Sequence, residues 1–184
     1  MSHDSATDGA GQLLGVIRSH VRDVPDFPQP GVLFKDITPL LNDREAFGAT
    51  VHGLADPFRE RGVDRVLGLE ARGFIFGAPV ALALDAGFVP ARKAGKLPSA
   101  TIGQAYDLEY GTATVEIHAD AIPAGSRVLI VDDVLATGGT GRAAVDLVRK
   151  AGGTVVGFSV LMELSALQGR EKLSDVELHS LLSV

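Results

Sequence analysis

Residues 128–140 (VLIVDDVLATGGT) place two adjacent carboxylates after an apolar run and before a turn rich in glycine and threonine. A glycine turn bends tightly and exposes backbone N–H groups, and a helix that starts there adds the positive end of its dipole. The threonine hydroxyls add further donors. This combination predicts a pocket for a phosphate monoester, formed by Ala136, Thr137, Gly138, Gly139 and Thr140.

The two carboxylates, Asp132 and Asp133, would lie about where a sugar attached to that phosphate sits. Ionised carboxylates are hydrogen-bond acceptors only, so they suit the hydroxyl groups of a ribose. The alternative is an ordinary connection between a strand and a helix, in which one threonine caps the helix. Capping explains one threonine and one glycine, but it does not explain two adjacent acids after a buried strand. The segment is therefore interpreted as a site for a phosphorylated ribose.

Two other phosphate motifs compete for the same residues. Residues 139–144 (GTGRAA) match the dinucleotide fingerprint G-x-G-x-x-A, and Glu163 follows at the spacing of the acid that binds ribose in that motif. That fingerprint begins directly after its strand, whereas residues 132–138 intervene here and two acids would face a pyrophosphate. The Walker pattern is absent, because no Gly-Lys-Ser/Thr follows the turn.

Hydrophobic patterning predicts the strands and helices that position this segment. Strands are expected at residues 65–69, 88–92, 113–118, 127–131 and 154–161. Helices are expected at residues 12–21, 44–61, 74–86 and 141–151. Strands that alternate with helices predict an α/β fold with a mostly parallel central sheet and helices on both faces.

Three segments lie outside this alternation. Residues 1–12 are expected to form a disordered tail without the features of a secretory signal, and residues 13–184 to form one domain. The prolines at 25, 28 and 30 predict an extended, irregular stretch in a small N-terminal hood. Residues 94–112 are polar, rich in glycine and long for a connection, which predicts a flexible lid formed by a loop or hairpin.

Composition excludes several classes of function. The chain has no cysteine, so disulfides, thiolate catalysis and cysteine metal sites are ruled out, and its five histidines show no ligand spacing. A net charge of -6 argues against a nucleic-acid partner, which needs a basic face. No apolar run approaches the roughly 18 residues of a membrane span. A cytoplasmic location is therefore expected, with no membrane partner.

Residues 128–140 resemble the phosphoribosyl-pyrophosphate motif of the type I phosphoribosyltransferases. Four further segments resemble, in the same order, those of the adenine-specific branch of that family: residues 27–39 (FPQPGVLFKDITP), 69–76 (LEARGFIF), 92–98 (RKAGKLP) and 107–111 (DLEYG). The first motif is shared by the whole superfamily, and the ordered set is what specifies the adenine branch. Lys35 stands where arginine is common among relatives; lysine keeps the charge but lacks the planar fork.

The resemblance implies that adenine and phosphoribosyl pyrophosphate react to give AMP and pyrophosphate, through a transition state of oxocarbenium character. It implies that residues 136–140 bind the 5-phosphate, that Asp132 and Asp133 hold the ribose, and that Arg72 donates to pyrophosphate. It also implies a cis peptide at Glu70–Ala71. Further positive charge, some of it acting across a homodimer interface, would come from Arg92, Lys93 and Lys96. The alternative for these three is a solvated basic edge.

The resemblance assigns the remaining site residues to the lid and the hood. Glu109 would handle the proton and Tyr110 would lie beside it over the site, although a lone glutamate in a loop is more often merely solvated. Phe34 would stack on the adenine ring, the alternative being a plain core phenylalanine. Val32 and Lys35 lie in the same segment, whose backbone would read the base.

The resemblance further implies Mg²⁺ as a bridge between pyrophosphate and ribose oxygens. Because Mg²⁺ keeps most of its ligands from substrate and water in such sites, no cluster of protein ligands is expected. Two alternatives stay open: a phosphoribosyltransferase for another nucleobase, and a regulatory protein that binds the phosphoribosyl group without catalysis. Glu109 and Arg72 argue against the regulatory protein.

Overall fold

The computed structural model describes residues 4–107 and 111–184. Its helices are α1 (Asp4–His20), α2 (Thr38–Asn42), α3 (Arg44–Ala55), α4 (Gly73–Ala83) and α5 (Gly139–Lys150), with 3-10 helices at Asp56–Arg61, Ser165–Leu167 and Gly169–Leu173. Its strands are β1 (Arg22–Pro25), β2 (Leu33–Asp36), β3 (Arg65–Leu69), β4 (Gly87–Lys93), β5 (Thr101–Asp107), β6 (Thr112–His118), β7 (Arg127–Leu135), β8 (Thr154–Glu163) and β9 (Leu178–Ser183). The chain divides into two compact units, Met1–Gly53 and Leu54–Val184.

The first unit begins with a longer helix than the sequence predicts. Helix α1 starts at Asp4, so the expected disordered tail is wrong for residues 4–12. The glycines in this stretch weaken a helix but do not end one that continues into an amphipathic segment, where Ile17 is fully buried. The stretch expected to be irregular contains the antiparallel pair β1–β2, and the Phe27–Pro28 peptide between the strands is cis.

The second unit contains a seven-stranded sheet with the order β5-β6-β4-β3-β7-β8-β9. Strands β4, β3, β7, β8 and β9 run parallel, and the hairpin β5–β6 adds two antiparallel strands at one edge. The two central helices cover opposite faces. Leu67 and Leu69 share a core with α5, whereas a Cβ on Gly68, between them, would lie 3.2 Å from the carbonyl oxygen of Gly73 in α4. The predicted fold class is confirmed.

Strand β3 has the predicted bounds, strands β7 and β8 are longer than predicted, and α4 ends at Ala83 rather than at the predicted Ala86. Strands β7 and β8 continue past their apolar runs since they pair with each other as far as Leu135↔Glu163. The predicted helix 44–61 is α3 followed by a 3-10 helix that contains Pro57, and it ends as expected at Gly62, which has a φ of 58°. In the described part of the chain no helix has the length and apolarity that a bilayer crossing requires.

The expected lid at residues 94–112 is largely ordered by strand pairing. Its loop interpretation is wrong at Thr101–Asp107, because this segment pairs along its whole length with β6 and forms the hairpin that was the other expectation. Ile102 and Tyr106 pack against the main core, and Lys150 Nζ donates to the Gly103 carbonyl at 2.8 Å. The flexibility of this lid stays a prediction.

Candidate functional site

The sheet order creates a crevice at the carboxyl ends of the central strands. Strands β3 and β7 are parallel neighbours, and the chain leaves β3 into α4 on one face and β7 into α5 on the other. The point at which such connections diverge is where open α/β sheets bind ligands. A cavity of about 380 Å³ lies there, and the residues that line it include Glu70, Arg72, Lys93, Tyr106, Asp132 and Asp133.

Residues 136–140, hereafter the binding turn, form one wall of this cavity. Strand β7 ends at Leu135, and α5 begins at Gly139. The residue at the N-terminal cap is Gly138, with a φ of 77°, and no side chain bonds to the cap. Thr137 therefore does not cap the helix, and the alternative of an ordinary capped connection is wrong. The backbone N–H groups at the start of α5 and the hydroxyl groups of two threonines are the kind of donors that the predicted anion site needs.

The two acids belong to strand β7 and are held close to the turn. Asp133 is 5% exposed, and its Oδ2 lies 2.8 Å from Nε of Arg72. Asp132 Oδ1 accepts the backbone N–H of Asp133 at 2.9 Å. Burial raises the pKa of both carboxyls, and the charge of Asp133 raises the pKa of Asp132 further, whereas Arg72 opposes the rise at Asp133. Two full negative charges on this pair are therefore unfavourable, and Arg72 is the group that offsets the charge of Asp133.

The loop after β3 places a basic side chain across from the acids. Arg72 follows the Glu70–Ala71 peptide, which is cis, as the family resemblance implies. Sequence reasoning placed Arg72 in this site, and the structure brings it there. The contact between Arg72 and Asp133 was not predicted, because it depends on the adjacency of β3 and β7, whose residues lie far apart in the chain.

The other predicted cations gather around a glutamate that sequence reasoning missed. Glu70 Oε2 accepts the backbone N–H of Lys93 at 2.9 Å and faces Nε of Arg92 at 3.3 Å. These donors, the Lys93 amide first, lower the pKa of Glu70. Arg92 Nη1 also donates to the backbone carbonyl of Lys96 at 2.9 Å, so the contact of Lys96 with this cluster is through its backbone. Lys96 itself is exposed. Lys93 lines the cavity.

Tyr106 is the second site residue that sequence reasoning missed. It lies at the end of β5, lines the cavity and packs against the core. A Cβ on Gly139 would lie 3.5 Å from the Asp107 carbonyl oxygen and 3.8 Å from the Tyr106 ring, so the end of β5 reaches the binding turn. The only local signal was weak: Ile102 and Tyr106, four residues apart, lie on the same face of a strand, but polar Gln104 lies between them.

The predicted base-reading residues belong to the first unit. Phe34 is partly buried and packs edge to face on Phe27 with ring centroids 5.1 Å apart, so it is not a plain core phenylalanine. Lys35 Nζ pairs with Asp23 Oδ1 at 2.7 Å across the β1–β2 pair. The backbone of Val32 bonds within its own turn, to Phe27 and Gln29. The predicted lid residues Glu109 and Tyr110 lie outside the described residues.

The rival dinucleotide interpretation does not fit this geometry. Its first glycine, Gly139, is the first residue of α5 and lies four residues after Leu135, the end of β7, rather than directly after the strand. Its expected ribose-binding acid, Glu163, is 6% exposed and is bound by the guanidinium group of Arg170 at 2.5 Å. A buried carboxylate already held by a guanidinium group does not face a ribose.

Known proteins share both the sequence and this fold. Residues 41–182 match the phosphoribosyl transferase domain family. The adenine phosphoribosyltransferase of Thermobifida fusca is 69% identical over 169 residues, which cover 92% of this chain and 96% of the relative. The solved adenine phosphoribosyltransferase of Rhodothermus marinus is 51% identical with a TM-score of 0.91, covering 95% of this chain and 99% of its own. That of Saccharomyces cerevisiae, solved with adenine and an imino-altritol bisphosphate, is 40% identical with a TM-score of 0.89, covering 94% and 99%. The chain therefore belongs to the phosphoribosyl transferase domain family and, within it, to the adenine phosphoribosyltransferases.

Proposed function

We propose that this chain converts adenine and phosphoribosyl pyrophosphate into AMP and pyrophosphate. The observation that carries the proposal is the convergence of the binding turn, the acid pair and Arg72 on one cavity at the crevice of the sheet. The N–H groups of the turn suit a phosphate, the carboxylates suit the hydroxyl groups of a ribose, and the guanidinium group suits a pyrophosphate. The yeast relative named above was solved with adenine, which supports adenine as the base.

We assign the parts of the phosphoribosyl substrate from the turn outward. The binding turn holds the 5-phosphate through its N–H groups and hydroxyls. Asp132 and Asp133 accept hydrogen bonds from the ribose hydroxyls and offset the positive charge that develops on the ring. Arg72 and Lys93 face the pyrophosphate, and Glu70 holds the backbone of Lys93 in place. Arg92 and Lys96 add charge at the rim of this region.

The base is assigned to the segment from β1 to β2, where the sequence predicted the hood, and the proton is assigned to the lid. Phe34 supplies an aromatic surface for the adenine ring, with backbone groups of residues 32–35, including those of Val32 and Lys35, reading its edge. Glu109 handles the proton of the base, and Tyr110 lies beside it. The approach of Asp107 to Gly139 supports this assignment, because Glu109 and Tyr110 follow Asp107 closely in the sequence.

Mg²⁺ completes the proposed site and is held mainly by oxygen atoms of the substrate and by water. Among the described residues, no three histidine, aspartate or glutamate side chains converge as metal ligands. The acid pair fits an ion that takes its other ligands from substrate oxygens and water, because carboxylates suit this hard cation and its water shell. When bound, Mg²⁺ neutralises charge on the leaving pyrophosphate.

A labelled-adenine assay tests this function. With phosphoribosyl pyrophosphate and Mg²⁺ present, we expect labelled AMP, and chelation of Mg²⁺ should lower the rate at least about tenfold. The control omits phosphoribosyl pyrophosphate and should give background counts. Absence of AMP at saturating concentrations of both substrates would overturn the proposal.

We also propose a homodimer, formed in part through α4. Leu82 is 84% exposed, and Ile75, two helical turns earlier on the same side of α4, is 39% exposed. Phe88 on the neighbouring strand is 36% exposed, which extends this apolar surface. A cytoplasmic location stays a prediction from the sequence.

Leu82→Lys is expected to weaken the dimer at least about tenfold, because the lysine charge would be buried against apolar side chains of the partner copy. Light scattering after size-exclusion chromatography measures the mass at a series of protein concentrations. The matched control is Leu167→Lys, at a leucine that is 47% exposed outside α4, which should leave the mass unchanged. A wild-type monomer across the series would refute the dimer.

A further inference from the structure

The binding turn is supported from behind by the backbone of Gly169. A Cβ on Gly169 would overlap the carbonyl oxygen of Ala136 and lie 2.9 Å from the amide nitrogen of Gly138. Conversely, a Cβ on Gly138 would lie 2.5 Å from the carbonyl oxygen of Gly169. Real Cβ atoms do not approach other atoms this closely, so the two backbones are in direct contact with no room for a side chain. One side of the turn faces the cavity, and the other side rests on Gly169.

An ion pair attaches the segment that contains Gly169 to strand β8 of the sheet. The next residue, Arg170, forms a two-point contact with Glu163: Nη2 to Oε2 at 2.5 Å and Nε to Oε1 at 3.1 Å. Glu163 is 6% exposed and ends β8, where it is in register with Leu135, the last residue of β7 before the binding turn. A fork of this kind fixes distance and orientation together.

The same segment is also fastened to the helix that follows the turn. Leu173, which ends the third 3-10 helix, is 1% exposed in the core shared with α5. Asp175 accepts from Arg142 Nη1 and from Arg149 Nη1, each at 2.7 Å. Arg142 lies in the first turn of α5. The strand before the binding turn and the helix after it are thus both tied to the segment around Gly169.

We propose that Gly169 is a positioning residue for the binding of the 5-phosphate, kept in place by the Glu163–Arg170 fork. This inference rests on the proposed function, in which the binding turn takes that phosphate. The φ of Gly169 lies outside the left-handed region, so an alanine there would meet no backbone penalty of that kind. Its methyl group would instead push Ala136 and Gly138 toward the cavity, and the N–H groups would no longer match the phosphate.

The test measures the affinity for ribose 5-phosphate by titration calorimetry, alongside steady-state kinetics. Gly169→Ala should raise the Kd for ribose 5-phosphate and the KM for phosphoribosyl pyrophosphate about tenfold or more, because small misplacements of binding groups have large effects. The KM for adenine should stay within about twofold, because the methyl group acts on the phosphate side of the site. The control is Gly157→Ala, whose Cβ would overlap the ring of Phe58 away from the cavity. It should lower Tm and leave both phosphate-dependent constants unchanged.

A second variant keeps the inference testable if Gly169→Ala does not fold. Arg170→Gln removes the fork without adding volume and should raise the Kd for ribose 5-phosphate about threefold or more. Its matched control is Arg61→Gln, which removes the exposed Arg61–Glu177 ion pair and should leave that Kd unchanged. An unchanged Kd in Arg170→Gln, or in a folded Gly169→Ala, overturns the inference. A wild-type chain that binds ribose 5-phosphate but makes no AMP overturns the proposed function instead.

Discussion

With phosphoribosyl pyrophosphate saturating, adenine is expected to react with a kcat/KM about 10⁴-fold higher than that of hypoxanthine. Adenine offers a donor at its 6-amino group and an acceptor at N1, and hypoxanthine reverses both. A site built for one pattern leaves buried polar groups unpaired against the other, and each unpaired group is costly. The discrimination therefore comes from hydrogen bonding at the edge of the base rather than from stacking.

In the proposed assignment, β2 and the turn before it would supply both the hydrogen bonds and the stacking surface for the base. Strand β2 has β1 as a neighbour on one side, and the opposite edge of such a strand presents backbone donors and acceptors. The aromatic pair Phe27 and Phe34 offers a stacking surface, but every purine has a similar face. Phe34→Leu should therefore raise the KM for adenine and the KM for hypoxanthine alike. The ratio of their kcat/KM values should stay unchanged.

Competition between adenine and hypoxanthine or guanine, each carrying its own label so that both nucleotide products are counted, measures these ratios directly. The two bases in the same tube control for enzyme stability and concentration. A ratio near one, or a preference for a 6-oxopurine, would assign the chain to another nucleobase. The assignment of the phosphoribosyl-binding residues would then remain, and the assignment of adenine as the base would be wrong.

Asp132→Asn is expected to lower turnover at least about tenfold, or on the order of 1.4 kcal/mol of barrier. The amide is neutral, so it loses the strong acceptor for the ribose and the negative charge that offsets the developing positive charge. The same variant should unfold at a higher temperature than wild type at neutral pH. Activity and stability would then change in opposite directions at one residue, as expected where a site is strained for function.

The stability gain follows from the sign of the pKa shift. Burial, and then the charge of Asp133, raise the pKa of Asp132 in the folded state above its value in the unfolded chain, about 3.9. The folded state therefore binds this proton more tightly than the unfolded chain does. The free energy of unfolding decreases as the pH rises from the pKa of the unfolded chain through the raised pKa of the folded state. Asparagine does not ionise, so it removes this loss of stability. Its side-chain oxygen can still accept the hydrogen bond from the backbone N–H of Asp133. The difference in Tm should be largest above the raised pKa and should vanish near pH 4.

Two comparisons make this result specific to Asp132. Asp133→Asn removes the partner of Arg72, so it should lower turnover without a comparable gain in Tm. Asp56→Asn alters an exposed acid paired with Arg59 and should change neither turnover nor Tm by much. Thermal scans from pH 4 to pH 8 with kinetics at neutral pH suffice. If Asp132→Asn keeps wild-type kcat/KM, the ribose role of this acid is wrong.

The strand, turn and helix proposed to bind the phosphate were predictable because their signals are local. A buried strand, two acids, a glycine turn and a helix follow one another within residues 128–150, and each has a pattern of its own. Strand β3 was likewise predictable from its apolar run. The order of these elements is also what predicted a parallel sheet.

The missed residues depend on contacts between distant segments. The interaction of Glu70 with Arg92 requires the register that pairs Leu69 with Ala91, and no local pattern reveals that register. Gly169 looks like an ordinary loop glycine until the binding turn lies against it. Strand β5 was difficult for a different reason: it is polar and contains Gly103, and its order comes from β6 rather than from its own propensity.

The strand order has a consequence for how the protein is made. During synthesis β3 and Arg72 leave the ribosome well before β7 and Asp133, with the hairpin β5–β6 between them. Pairings of such long sequence separation form slowly, and the segment around Gly169 emerges later still. A nascent chain that ends after α5 would carry both acids and the binding turn but would lack the support behind that turn. Because a ligand stabilises only the state that binds it, phosphoribosyl compounds would protect the finished chain against unfolding and proteolysis while leaving its growing precursors unprotected.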